Sequence, residues 1–406
     1  MMKKAGKKTR SERSVRDELY AYISGSRVIN THSHHLSDDQ FAGADLRFVF
    51  EKSYSSWMSR LPEDKAMIRE YISANRCNSY FRWLFAGIEA LYGLKIKEEY
   101  YDEIDRRVRR AHLDGLFHLS VLKNECGYDR VLLDNYNDPG SDNGHPEIFT
   151  PVYRVNRFFF GYSREARDHN GNSPFELPLF KNVKTFDDYL GAMREDIRRA
   201  KARGVVALKN ANAYERGLAY RKTERRRAER VFLKSGITDA EVSEFQDCIG
   251  FELAQIALET ALPLEIHTGL GQLRGTGPMG LLELIGEYPD VQFDLFHAGY
   301  PWTADMLGLL HNFSNVHVNL CWLPIISTWE AKDFIVRALE VSSAKRIRWG
   351  SDTWTGEESL GAVLALRHVL SDALAEMIWD GAFDMDEAKK IADRILRENA
   401  QELYNL

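Results

Sequence analysis

A chain of 406 residues that is 44% hydrophobic and 28% charged has the composition of a globular protein with ample material for a core. Its net charge of −6 excludes the overall basic field that draws nucleic acid or an acidic membrane. Four scattered cysteines, Cys77, Cys126, Cys248 and Cys321, have no CxxC spacing and read as free thiols of a reducing compartment, not as a disulfide frame or a Cys-rich zinc site.

The basic N-terminus, MMKKAGKKTRSERS, is followed by no apolar signal core, and no stretch reaches the roughly 18 apolar residues of a membrane span. Residues 1–25 therefore read as a basic tail and lead-in helix of a soluble, cytoplasmic protein. Next come short apolar runs separated by longer amphipathic segments. SRVIN (26–30) is the first strand-like run, followed by DRVLLDN (129–135), VYRVNRF (152–158), GVVALKN (204–210) and LPLEIHT (262–268). VQFDLFH (291–297), NVHVNLC (315–321) and RIRWGSD (346–352) complete the series. Without strict alternation, such runs look like buried parallel strands.

Helical periodicity fills the gaps at 186–204, 277–289, 303–313 and 328–341, and a closing helix ends the chain. Eight strand candidates interleaved with helices predict an α/β protein, a distorted (β/α)8 TIM barrel over 26–406 with helical insertions at the C-terminal face. An open doubly wound sheet is the alternative, but no glycine-rich fingerprint follows the first strand. Residues 40–122 are helical in pattern and too long for a loop, which makes them a cap insertion. The charged stretch from Tyr220 to Phe245 is a second, smaller insertion.

Polar residues collect at the predicted strand ends. VINTHSHHL places His32 and His34 two apart, on one side of an extended segment, and sends His35 elsewhere. Lys209 ends the fourth strand, His267 the fifth, His297 the sixth and Asp352 the eighth, where a barrel keeps its chemistry. Any one of these has an ordinary explanation: a hydrogen-bonded histidine, a surface lysine, a helix-capping aspartate. Six in barrel order point to a metal centre, since imidazole and carboxylate are zinc ligands.

At HSH (32–34), ALKNANAYERGL (207–218), EIHTGLG, FHAGYP and WGSD the sequence resembles the amidohydrolase superfamily, in its amidohydrolase-2 branch. The likeness is to the group related to the N-terminal half of nodulin/glutamine-synthetase-like fusion proteins. NSYFRWLFAGIEALYG resembles the cap of the neighbouring uronate isomerases. The resemblance implies metal ligation by His32, His34, Lys209, His267, His297 and Asp352, with Asp352 and His297 as the catalytic candidates. It further implies two Zn2+ ions and a carbamate on Lys209 bridging them; one Zn2+ or Mn2+ is the alternative. That set describes a hydrolase that activates water on a zinc centre to cleave an amide, ester or lactone of a small molecule. Uronate isomerase-like or decarboxylase chemistry on a single metal is the other reading. Arg154, Tyr214 and Arg216 are candidates to bind a substrate carboxylate, and Trp322 and Trp354 to wall the pocket. The partner expected is a small-molecule substrate, and the long cap offers surface for a homo-oligomer.

Overall fold

In the computed structural model, which describes residues 10–406, the first strand is Val28–Ser33, with all six residues buried. The basic run at 1–9 lies outside the described residues, and the lead-in helix is Arg10–Gly25. The second strand, Tyr128–Leu133, pairs parallel to the first. The third is in two pieces, Phe149–Pro151 paired to the second strand and Tyr153–Arg154 paired to the fourth, Leu208–Asn210. Val152 bridges the pieces. The fifth to eighth strands, Leu264–His267, Phe293–Phe296, Val316–Asn319 and Ile347–Arg348, follow in parallel register.

Backbone bonds join the two ladders. Val152 N–H donates to Leu133 at 2.9 Å and Tyr153 N–H to Ala207 at 3.0 Å, while Thr31 N–H donates to Trp349 at 3.2 Å and ties the first strand to the eighth. Eight strands thus go round once. Register then fixes which side chains share a level. Lys209 lies beside Glu265 and Glu265 beside Asp294, whereas His267, Phe296, Asn319 and Arg348 form the level two residues on. From the closing helical region, Tyr404 donates to Asp294 at 2.6 Å and seals the far end of the interior.

Two predicted strands shift. The third starts at Phe149, earlier than expected, and 156–160 turns into a 3-10 helix because Asn156 accepts the Ala211 N–H at 2.8 Å and folds the chain back. The fourth covers only the last three residues of the predicted run, after a loop at 203–207. The charged insertion holds one short helix, Arg225–Val231, and its end belongs to a 22-residue barrel helix, Asp239–Thr260, started by a Thr238–Glu241 capping box.

Between the first two strands every regular element, from Asp38 to Glu125, is helical. Its main helix, Ser79–Tyr92, begins at an Asn78 cap and stops at Gly93 with φ +69°. It lies against Gly356–Trp379, the long helix after the eighth strand, at a crossing only glycine permits. A Cβ on Gly87 would stand 2.3 Å from the Glu357 carbonyl, and one on Gly361 would stand 2.3 Å from that of Trp83. This contact seats the cap over the strand ends. Among the described residues no helix is long and apolar enough to cross a membrane.

Candidate metal centre

Three imidazoles converge on one carboxylate. His34 Nε2 lies 3.1 Å and His32 Nε2 3.7 Å from Asp352 Oδ1, and His297 Nε2 lies 4.0 Å from Asp352 Oδ2. Donors held at about 2.0–2.2 Å from a tetrahedral zinc stand about 3.3–3.6 Å apart, and the separations here, 3.1 to 4.0 Å, bracket that spacing. All four side chains are buried.

The proton positions follow from the other ring nitrogens. A carbonyl only accepts, so His34 Nδ1 must donate to the Asp134 carbonyl at 2.8 Å and His297 Nδ1 to that of Cys321 at 2.9 Å. In each neutral ring this leaves Nε2 with a lone pair facing Asp352, the arrangement that second-sphere carbonyls impose on metal-ligating histidines. His267 Nε2 likewise donates to the Leu270 carbonyl. Its Nδ1 then presents a lone pair to His297 Nε2 across 2.9 Å. Two nitrogens at that distance share either a proton or a bound cation.

Burial keeps the His32, His267 and His297 rings neutral. Burial, reinforced by Lys209, holds His32 well below the usual histidine range, and burial lowers His297 to about 4. For His267, burial and then His297 act in the same direction. Burial alone would raise the Asp352 carboxyl, but His34, His32 and His297 outweigh it and hold it well below the ordinary carboxylate range. Neutral imidazoles around an ionised carboxylate are the ligating forms of both groups. The backbone is bent to reach this arrangement. His297 (φ +63°) and Asp352 (φ +55°) both sit in the left-handed region, which costs a non-glycine residue about 1–3 kcal/mol. Gly350 makes room for the turn, since a Cβ there would meet His32 Cβ at 2.8 Å.

Lys209 is buried, its Nζ has no hydrogen-bond partner, and it lies 3.2 Å from the centre of the Phe296 ring. Burial lowers its pKa, while Glu265 and Asp134 pull the other way. Arg154 does not present an open fork. Nε and Nη2 are bound to Asp134 at 3.1 and 2.5 Å, leaving only Nη1 unpartnered. Arg216 is turned away altogether, to Asp247 at 2.5 Å and the Gly217 carbonyl at 3.0 Å, so it is not positioned for substrate. Tyr214 packs on His267 with ring centres 4.6 Å apart, Trp322 on His297 at 5.8 Å and Trp354 on His34 at 5.0 Å.

Sequence reasoning missed two residues at the site. Asp134 follows the second strand, and its Oδ2 lies 4.0 Å from both His32 Nε2 and His34 Nδ1. The strand-end rule that found Asp352 also applies to it. Tyr54 comes from the cap and donates to Asp352 Oδ1 at 3.0 Å. Glu358 fixes that cap segment. It accepts from the Tyr80 hydroxyl, the Trp354 N–H at 2.7 Å and the Tyr54 N–H at 3.5 Å.

The strand ends of this eight-stranded parallel barrel gather histidine and aspartate groups that could hold a metal ion. Residues 186–406 match the family model described as Amidohydrolase, more than half of the chain, and the protein belongs to that family. Protein fluG of Emericella nidulans is 27% identical over 222 residues, which is 50% of this chain and 26% of that protein's length. Among solved structures, the uronate isomerase of Thermotoga maritima superposes with a TM-score of 0.75 at 14% identity, covering 96% of this chain and 97% of that one. The glucuronate isomerase of Caulobacter crescentus gives 0.73 at 16% identity, with 98% and 95% covered. A Lactobacillus casei protein described as a candidate metal-dependent hydrolase gives 0.69 at 15%, with 95% and 97% covered. At these identities the likeness is one of fold.

Proposed function

We propose that the protein is a metal-dependent hydrolase of small, carboxylate-bearing amides, esters or lactones. The observation that carries this reading is the convergence of His32, His34 and His297 on the Asp352 carboxylate at the strand ends. His32, His34 and Asp352 would hold one divalent ion, and His297 with the neighbouring His267 a second. Zinc suits the donors. Bound there, such ions would polarise a carbonyl and bring the pKa of a water near neutrality.

Asp352 is the proton carrier. Its carboxyl is ionised, it is held by the Tyr54 hydroxyl, and it is placed to take a proton from attacking water and return it to the leaving group. Tyr54, Trp322 and Trp354 wall the space in front of it and exclude bulk water. Arg154 Nη1, buried without a partner, supplies one donor for a substrate carboxylate. The neutral amine favoured by burial at Lys209 is the form that reacts with carbon dioxide, which supports a carbamate there.

A second reading rests on the same lysine. Glu265 and Asp134 beside Lys209 suit an ammonium better than an added anion, and with Tyr54 on Asp352 they favour single-metal isomerase chemistry on a uronate. The deciding assay incubates the full chain, with and without a chelator, with panels of N-acyl amino acids, lactones and uronates. Chelator-sensitive hydrolysis supports the first reading. Chelator-sensitive ketose formation from a uronate, without hydrolysis, replaces it with the second.

A further inference from the structure

Cys321 was grouped with the other cysteines as a free thiol, yet it is not placed like them. It lies two residues beyond the seventh strand and is wholly buried, and its ligand atom is within 4.8 Å of those of His32 and Asp352. Both of its backbone groups are committed. The N–H donates to Asn319 Oδ1 at 3.1 Å, and the carbonyl accepts from His297 Nδ1 at 2.9 Å. The residue is thus fixed to the same turn that orients a histidine of the site, and its sulfur is left for the interior.

A second observation points the same way. Lys209 Nζ, also buried and without a hydrogen-bond partner, lies 3.2 Å from the centre of the Phe296 ring, which itself packs on His32 with ring centres 4.8 Å apart. The interior around the sulfur thus holds unpartnered polar groups, and a dication bound there would deprotonate its ligands outright.

We propose that Cys321 is a further ligand of the metal centre, its thiolate joining His32 and Asp352 on one ion. The inference rests on the metal-centre reading above and deepens it. Binding releases the thiol proton to solvent as the sulfur–metal bond forms. A soft sulfur among nitrogen and oxygen donors moves the site's preference from manganese and magnesium toward zinc.

The test uses the full chain, stripped of metal and reloaded with Co2+, read by absorption spectroscopy. It compares wild type, Cys321→Ser, and a triple variant (Cys77→Ser, Cys126→Ser, Cys248→Ser) in which Cys321 is the sole thiol. The expected result is a near-ultraviolet thiolate-to-cobalt charge-transfer band in wild type and in the triple variant, lost in Cys321→Ser. Visible cobalt bands without that charge-transfer band in wild type would overturn the thiolate ligand and leave the metal centre standing. Wild type with no cobalt bands at all would remove both. Should Cys321→Ser fail to fold, the triple variant against wild type decides alone.

Discussion

Two groups of histidines lie within one fold, and they are used in opposite ways. At the strand ends, His32, His34 and His297 direct a ring nitrogen each at Asp352. Where the cap meets the barrel, His35 Nε2 and His118 Nδ1 instead bond each other at 2.8 Å, His145 bonds Asp38 at 3.0 Å and His112 bonds Glu357 at 2.9 Å. Phe41 stacks between His118 and His112, with ring centres 4.1 and 5.6 Å away. Residue type is the same in both groups, and burial differs only at His145, which is half-buried. What differs is the partner: in the cap the rings pair off with one another or with separate carboxylates, while at the centre they converge on the single carboxylate of Asp352. In His34 and His297 the second nitrogen is anchored on a carbonyl, the arrangement that orients a ligating imidazole.

Substitutions in each group separate them. Asp352→Asn should have the largest effect, a loss of turnover of about 10³-fold together with loss of bound metal, read by steady-state kinetics and elemental analysis. A variant that keeps full activity would remove Asp352 from the chemistry. Tyr54→Phe removes only the hydroxyl bonded to Asp352. Turnover should fall about 10–100-fold while metal content holds, and an unchanged rate would make the cap tyrosine structural.

His118→Ala should do the reverse. It leaves activity and metal content near wild type and lowers the denaturation free energy by about 2 kcal/mol, because it opens a stacked, hydrogen-bonded position. Metal loss in this variant would merge the two groups and contradict the comparison. The smallest effect is a slope. Burial raises Glu358 from 4.5 to about 8, so between those values the folded chain holds a proton that the unfolded chain has released. Stability should therefore fall as pH rises across that window and level off above it. Glu358→Gln should flatten the slope measured by denaturant midpoints from pH 5 to 9. An identical slope in the variant would assign it to other groups.

The barrel and its strand-end donors were legible because two simple periodicities produce them. Buried parallel strands read as apolar runs, and side chains two apart on a strand share a side, which singled out His32 and His34 and set His35 aside. The anchors were not legible. The carbonyls of Asp134, Cys321 and Leu270 fix the tautomers, and a backbone carbonyl has no residue-type signature. Tyr54 reaches Asp352 only through the packing of the cap at Gly87 and Gly361, across roughly 300 residues of sequence. The two-point fork expected of Arg154 and the position of Arg216 were not legible for a related reason. Each had a carboxylate partner, Asp134 and Asp247, that only the folded chain brings alongside.

The metal content of the full chain, purified without chelator in the presence of bicarbonate, decides between one ion and two when wild type is set beside His267→Ala. Two divalent ions per chain are expected in wild type and one in the variant, since His267 and His297 would hold the second ion. One ion per chain in both would contradict the two-metal centre and move the chemistry to the single-metal reading, and none in wild type would contradict the metal centre itself.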